Sequence, residues 1–295
     1  MISYAPPPVQ EIDDPLFKES GVRLWIKRED LNHPLVSGNK WWKLRYNLER
    51  AVGLGHDTLL TFGGAYSNHL YAVAAAAEAL NLKSIGVVRG EEKRPLNSTL
   101  TFAKKAGMRL YHVTRERYRE KSSARFVADL ERKFGKFFLL PEGGTNADAV
   151  RGCREWGANL VAEVDFDILC LPVGTGGTLA GLVQSLKANQ QAIGFSVLRN
   201  GSFLVPEVQR WLPPGSRSTW CIETRFDFGG YAKRTEALRN FMRAQQDAHH
   251  LPLDPVYTAK TLYGIYAKVR EGEFPRSTRI LMIHTGGLQA NSLTE

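Results

Sequence analysis

Short apolar runs and longer helical stretches alternate along almost the whole chain. Runs of strand character fall at Arg23–Ile26, Thr58–Phe62, Ser84–Val88, Ile168–Val173, Ile193–Leu198 and Arg279–Ile283. Helical stretches lie over Trp41–Gly53, Asn68–Leu80, Leu96–Ala106, Ala147–Ala162, Leu179–Ala188, Glu236–His249 and Ala259–Val269. This alternation predicts an α/β fold with mainly parallel open sheets flanked by helices, because each parallel crossover needs a helix. In such sheets ligands bind where strand ends meet helix N-termini, so the strand-to-helix turns are where chemistry is expected.

The chain has 295 residues, comfortable for two units sharing an interface, and its 43% hydrophobic and 10% aromatic content supports a well-buried core. No repeat, low-complexity tract or linker stands out, which predicts two interwoven lobes: residues 1–44 with 151–295 as the larger, and 45–150 as the smaller. The net charge of +9 comes from clusters such as Arg115–Arg119 and Lys43/Arg45 that are interleaved with acids or sit in helical stretches. That pattern argues against a nucleic-acid partner and for attraction of small anions. Three distant cysteines, Cys153, Cys170 and Cys221, form neither a disulfide framework nor a metal-ligand spacing. With no leader-like N-terminus and no apolar run long enough for a membrane span, a soluble, cytoplasmic protein without a metal is expected.

Three turns carry candidate chemistry. In ILCLPV-GTGGT-LAGL, a buried-type strand enters a glycine-rich turn, Gly174, Thr175, Gly176, Gly177 and Thr178, and then a helix. Backbone N–H groups there can converge on an oxyanion, and the spacing suits one phosphate better than a dinucleotide; a turn without a ligand is the plainer alternative. In TLLTFGGAYSNH, Ser67, Asn68 and His69 fall at a helix start, where short polar groups suit a carboxylate, or simply cap the helix. In SGNKWWKL, Lys40 opens an apolar helix beside a Gly–Asn turn. A lysine desolvated there becomes a competent amine nucleophile. Thr285, before two glycines at the end of a strand, and the segment Asp254–Lys260 are unremarkable alone.

Taken together and in this order, these elements resemble the 1-aminocyclopropane-1-carboxylate deaminase / D-cysteine desulfhydrase family of pyridoxal-phosphate enzymes, related to the tryptophan synthase β-subunit. The resemblance runs from about Leu24 to Ala290. It implies the two-lobed fold of that β-subunit, with the larger lobe binding pyridoxal 5'-phosphate, and a homodimer acting on a small amino acid. It implies that Lys40 carries the cofactor as a Schiff base and moves the proton at the substrate's α-carbon. Asn68 is implied to meet the cofactor's ring oxygen. Ser67, with Asn68 and His69 beside it, is implied to seat the substrate carboxylate, Ser67 being also a proton relay. Gly174–Thr178 matches the phosphate cup, and Tyr231 and Tyr257 match a pair of tyrosines touching substrate or leaving group. Glu142–Asn146 matches a further segment without an assigned role.

Two positions separate the activities. Deaminase members carry Glu after the second tyrosine and Leu before the last Gly-Gly pair; this chain carries Thr258 and Thr285, as desulfhydrase-like members do. An acid facing the pyridine nitrogen keeps it protonated and the ring a full electron sink, whereas a neutral Thr leaves a weaker one. A weaker sink suffices when the α-carbanion expels a good β-leaving group at once. The expectation is therefore α,β-elimination from a D-cysteine-like substrate to pyruvate, ammonia and sulfide. Ring opening of aminocyclopropane carboxylate, dehydration of a D-serine-like amino acid, and cofactor binding without turnover are the competing readings. Tyr66 stands where the family often has Gln, and Trp42 and Arg45 where it often has Arg and Glu.

Overall fold

A computed structural model of the chain describes residues 2–216 and 219–289. Ala290, the far end of the resemblance, lies outside the described residues. In chain order the strands among the described residues are β1 (Val9–Glu11), β2 (Arg23–Lys27), β3 (Thr58–Gly63), β4 (Lys83–Arg89), β5 (Met108–Val113), β6 (Phe138–Leu140), β7 (Ile168–Val173), β8 (Gln191–Ser196), β9 (Thr219–Glu223) and β10 (Arg279–Ile283). They form two sheets, ordered β1-β2-β10-β7-β8-β9 and β5-β4-β3-β6. All neighbours run parallel except β1 against β2. Every strand of the smaller sheet falls between β2 and β7 in sequence, so the chain leaves the larger sheet, builds the smaller one, and returns. The molecule is a two-lobed α/β protein.

Parallel strands covered on both faces read as continuous apolar runs, and β3 (TLLTFG) is buried along its whole length. One face of the larger sheet packs Leu24, Ile26 and Met282 on Leu262 and Ile265 of the helix Thr258–Arg270. Its other face packs Leu171, Leu281 and Ile283 on Trp156 and Leu160 of the helix Ala147–Glu163 and on Leu182. In the smaller sheet, Leu59 and Val88 meet the alanine-rich helix Asn68–Ala79, and Phe62 and Val87 meet Phe126 and Leu130.

Several elements escaped the apolar pattern. β1 and β6 have three residues each, too few for alternation to show. β5 and β9 lie at the sheet edges, and β5 carries the polar Arg109 and His112. The helix Ala124–Phe134 buries only Phe126 and Leu130. The helix expected over Leu179–Ala188 occupies Gly177–Val183 instead, because Gln184 turns its amide onto the carbonyls of Ala180 (3.0 Å) and Trp211 (3.2 Å). β8 stops at Ser196 rather than Leu198, where the Ser196 hydroxyl accepts from the Leu198 amide at 3.2 Å.

The helix Asn39–Gly53 is pressed against Ala147–Glu163 at Gly152, where an added Cβ would stand 2.1 Å from the Trp42 carbonyl oxygen. Gly181 makes an equally close pass, its would-be Cβ 2.3 Å from Cys153 Cβ. Such approaches admit no methyl group without moving backbone. Gly152→Ala should therefore destabilise the protein by about 2–3 kcal/mol, read as a Tm lowered by several degrees in a thermal melt; an unchanged Tm would contradict this packing.

Candidate active site

The C-terminal ends of β3, β6, β7 and β10 open onto one cleft between the sheets, about 250 Å³ in volume. Helices starting after β3 and β7 carry its polar turns, so the cleft sits where a parallel α/β architecture places ligands. Among the residues singled out from sequence, Lys40, Ser67, Asn68, His69, Gly174, Thr175, Gly176, Thr178, Tyr231, Tyr257 and Thr285 line it. Gly177 and Thr258 do not. Gly177 sits behind the turn, the space of its missing Cβ taken by Thr145 Cγ2 at 2.6 Å. Thr258 is fully buried at the start of its helix, its hydroxyl accepting from the Asp254 amide at 2.7 Å.

Lys40 is positioned by backbone contact. Gly38 adopts φ +68°, and a Cβ there would lie 1.9 Å from the Thr285 carbonyl oxygen. Only glycine allows the turn before Lys40 to lie flat on the segment after β10. The Gly38 amide also donates to Asn32 Oδ1 at 3.0 Å. From there, Lys40 Nζ donates to Asn39 Oδ1 (2.7 Å) and Asn39 Nδ2 donates to Thr178 Oγ1 (2.8 Å), linking the amine to the glycine-rich turn. One helical turn on, Lys43 is buried and donates to the Gly143 carbonyl and, at 2.8 Å, to Thr145 Oγ1. Burial, and then the charge of Lys43, pull the Lys40 pKa down to about 7; burial holds Lys43 at about 8. An amine of that kind is about half neutral near pH 7, far more so than an ordinary lysine, and therefore nucleophilic.

The turn after β3 gives the other wall. Ser67 caps the helix Asn68–Ala79 by accepting from the Leu70 amide (3.3 Å), so the capping role is real, and its hydroxyl still faces the cleft. Asn68 Oδ1 accepts from Gln289 Nε2 at 2.6 Å. His69 is buried, and burial with the charges of Lys40 and Lys43 pushes its pKa well below the usual value, so the ring is neutral. Tyr231 and Tyr257 meet edge to face with centroids 6.0 Å apart. Burial raises both phenols, so they stay protonated and able to donate.

Sequence reasoning missed the groups that hold this pair. Lys260 is fully buried and donates to the carbonyls of Asp227 and Gly230, both at 2.7 Å, pinning the loop that carries Tyr231 to the helix that follows Tyr257. Asp254 Oδ1 accepts from the amides of Val256 (3.1 Å) and Tyr257 (2.5 Å), and burial raises its pKa to about 7. Asn39, Lys43, Arg89 and Glu142 were also not singled out. Lys43 alone left a signal, its three-residue spacing from Lys40 on one helix face.

The profile of the family described as "Pyridoxal-phosphate dependent enzyme" matches residues 4–286. The chain belongs to that family. It is 30% identical, over 95% of its length and 89% of the relative's, to a Pyrococcus horikoshii protein provisionally named 1-aminocyclopropane-1-carboxylate deaminase. It is also 30% identical, over 97% of its length and 77% of the relative's, to the mitochondrial bifunctional D-cysteine desulfhydrase/1-aminocyclopropane-1-carboxylate deaminase of Arabidopsis thaliana. A solved 1-aminocyclopropane-1-carboxylate deaminase homologue superposes with a TM-score of 0.86 at 29% identity, covering 99% of this chain and 92% of the other. The protein is thus a pyridoxal-phosphate-dependent lyase or deaminase of the 1-aminocyclopropane-1-carboxylate deaminase / D-cysteine desulfhydrase family.

The cleft suits that cofactor. A near-neutral amine stands at one side, and a turn of glycines with the hydroxyls of Thr175 and Thr178 stands at the other, a donor set matching an aldehyde that bears a phosphate. Among the described residues no helix is long and apolar enough to cross a membrane, and no group of three metal-ligating side chains occurs.

Because Lys40 must be neutral to attack, covalent uptake of pyridoxal phosphate by the cofactor-stripped chain should slow about tenfold per pH unit below pH 7 and level off above it. The rate is read from the visible band of the bound cofactor. A profile still rising steeply at pH 9 would mean that Lys40 keeps an ordinary pKa, and Lys40→Ala should show no covalent uptake.

Proposed function

We propose that the enzyme carries out α,β-elimination on a small D-amino acid, with D-cysteine as the reference substrate. The observation that supports this most directly is the neutral protonated tyrosine pair beside a lysine amine of pKa about 7, in a cleft where Glu142, the lining carboxylate among the described residues, is engaged by Tyr118 and Lys121. Asp254 stands close to the Thr285 corner, its carboxyl carbon 3.2 Å from where a Gly287 Cβ would be, and does not line the cleft.

When bound, the cofactor supplies an electron sink for the charge left at the substrate's α-carbon. The chain supplies the rest. Ser67, with Asn68 beside it, seats the carboxylate at the start of the helix Asn68–Ala79. Lys40 takes the α-proton, a role for which an amine titrating near 7 is matched to neutral pH. Tyr231 and Tyr257, kept protonated by burial, donate a proton to the departing sulfur. Lys260 and Asp254 fix the two phenols relative to each other. Cysteine and water then become pyruvate, ammonia and hydrogen sulfide, with all atoms accounted for. Thr258 stands where a deaminase carries Glu, and Thr285 where it carries Leu, so neither position brings an acid to the cleft, which favours elimination over ring opening.

Purified holoenzyme should release pyruvate and sulfide from D-cysteine and little 2-oxobutyrate from aminocyclopropane carboxylate; the reverse ratio would establish the deaminase reading instead. Lys260→Met leaves two loop carbonyls without their donor. It should keep the cofactor but lower kcat for D-cysteine about tenfold. The loss should be smaller for β-chloro-D-alanine, whose chloride needs no proton. Equal losses on both substrates would remove the tyrosine pair from the leaving-group role.

A further inference from the structure

Arg89 is a cleft-lining cation that this scheme leaves unused. It ends β4, the neighbour of β3, and pairing of Val88 with Gly63 brings it beside the turn that runs from Gly64 to Ser67. Its Nη2 lies 3.6 Å from where a Gly64 Cβ would stand, so the missing side chain leaves the guanidinium open to the cleft. Its Cζ sits 5.8 Å from the ring centroid of Tyr118. The natural acidic partner is already taken. Glu142 Oε1 accepts from Tyr118 OH at 2.8 Å, and Oε2 lies 3.3 Å from Lys121 Nζ. The Arg89 guanidinium makes no hydrogen bond or salt bridge among the described residues, and the backbone of Arg89 pairs with β5.

A guanidinium offers five donors in a planar fork and stays charged at any working pH, so in a cleft it reads carboxylate or phosphate geometry. The two anionic groups already expected here have other seats: the cofactor phosphate at the Gly174–Thr178 turn, on the far sheet, and the substrate's α-carboxylate at Ser67–Asn68. Arg89 lies on the side of Tyr231, the phenol that faces the substrate's β-substituent; its charge acts on that phenol.

We propose that Arg89 binds a fixed negative charge on the substrate's β-substituent, so that the enzyme's substrates include amino acids whose β-leaving group is itself anionic, a phosphate ester, and its non-reacting ligands include those with a β-carboxylate. This rests on the elimination reading above. For a phosphate ester, the α-proton goes to Lys40 and the Cβ–O bond breaks with its electron pair leaving on phosphate. Water then releases ammonia from the remaining three-carbon unit to give pyruvate.

The test uses the holoenzyme and two readouts: shift of the bound cofactor's visible spectrum on titration, which needs no turnover, and pyruvate release. Ligands are the O-phosphoserine enantiomers, the aspartate enantiomers and the neutral β-chloro-D-alanine. A fixed charge is sensed before reaction, so Arg89→Ala should raise Kd for the phosphate ester or the aspartate, and KM for the phosphate ester, about 10- to 100-fold. It should leave those for β-chloro-D-alanine within about threefold, and Arg89→Lys should restore part of the loss. Response to phosphoserine alone, or to aspartate alone, identifies which anion is read. Equal weakening of charged and neutral ligands would place Arg89 on the α-carboxylate and overturn the proposal. So would a wild type that binds neither anion while turning over the neutral substrate. Failure of the neutral substrates as well would instead strike the elimination reading, and the spectral titration still decides on Arg89.

Discussion

The site depends first on a buried carboxylate. Glu29, directly after β2, is fully buried, and its oxygens accept from three neutral donors: the indole nitrogens of Trp42 (3.1 Å) and Trp156 (3.0 Å) and the Asn32 amide (2.7 Å). The two indoles lie parallel with centroids 5.8 Å apart. The backbone carbonyl of Glu29 accepts from the Gly38 amide at 2.9 Å. One residue thus ties together the loop after β2, the helix that carries Lys40 and the helix Ala147–Glu163. Burial raises the Glu29 pKa, and the three hydrogen bonds act against that rise. A buried acid is tolerated only when its lone pairs are satisfied, and here the satisfied acid fixes geometry rather than adding to cohesion. Without it, Gly38 would lose its seat against Thr285, and Lys40 its direction.

Cations dominate the cleft, and burial grades them. Lys40 and Lys43 stand on one face of a helix, and each makes the other's charge more costly. Lys43 meets that cost by donating to fixed oxygens of the Gly143–Thr145 segment, which leaves Lys40 as the amine that gives up its proton first. The overall charge of +9 matters less than this local ordering. A cleft built to receive a phosphate and a carboxylate can hold such a surplus because its ligands are anions.

The alternation of strands and helices was legible because fully covered parallel strands such as β3 and β7 carry unbroken apolar runs, and the glycine turns after them stand out. The cleft's polar rim was legible only as a set of motifs: Lys40, Ser67 and the Gly174–Thr178 turn mean little until the fold brings them within one cavity. What stayed hidden has a common cause. Lys260 and Lys43 are held by backbone carbonyls of distant loops, and a carbonyl leaves no trace in the sequence. Glu29 is held by indoles, donors that elsewhere merely fill a core. Thr258 shows the opposite failure: its position after Tyr257 invites a role at the cofactor, yet its hydroxyl is engaged with the Asp254 backbone behind the cleft wall.

Strand order carries a consequence for how the molecule comes into being. β10, the last strand in chain order among the described residues, lies in the sheet between β2 and β7, and the turn holding Lys40 rests on the residues just after it. The smaller sheet can close as soon as β6 is made, whereas the larger one waits with an open slot until β10 is made. A nascent chain therefore presents Lys40 as an ordinary solvated lysine, mostly protonated and slow towards aldehydes. The reactive amine comes into existence only once β10 and the residues just after it are in place, so that a chain cut short before them is chemically silent rather than half-active.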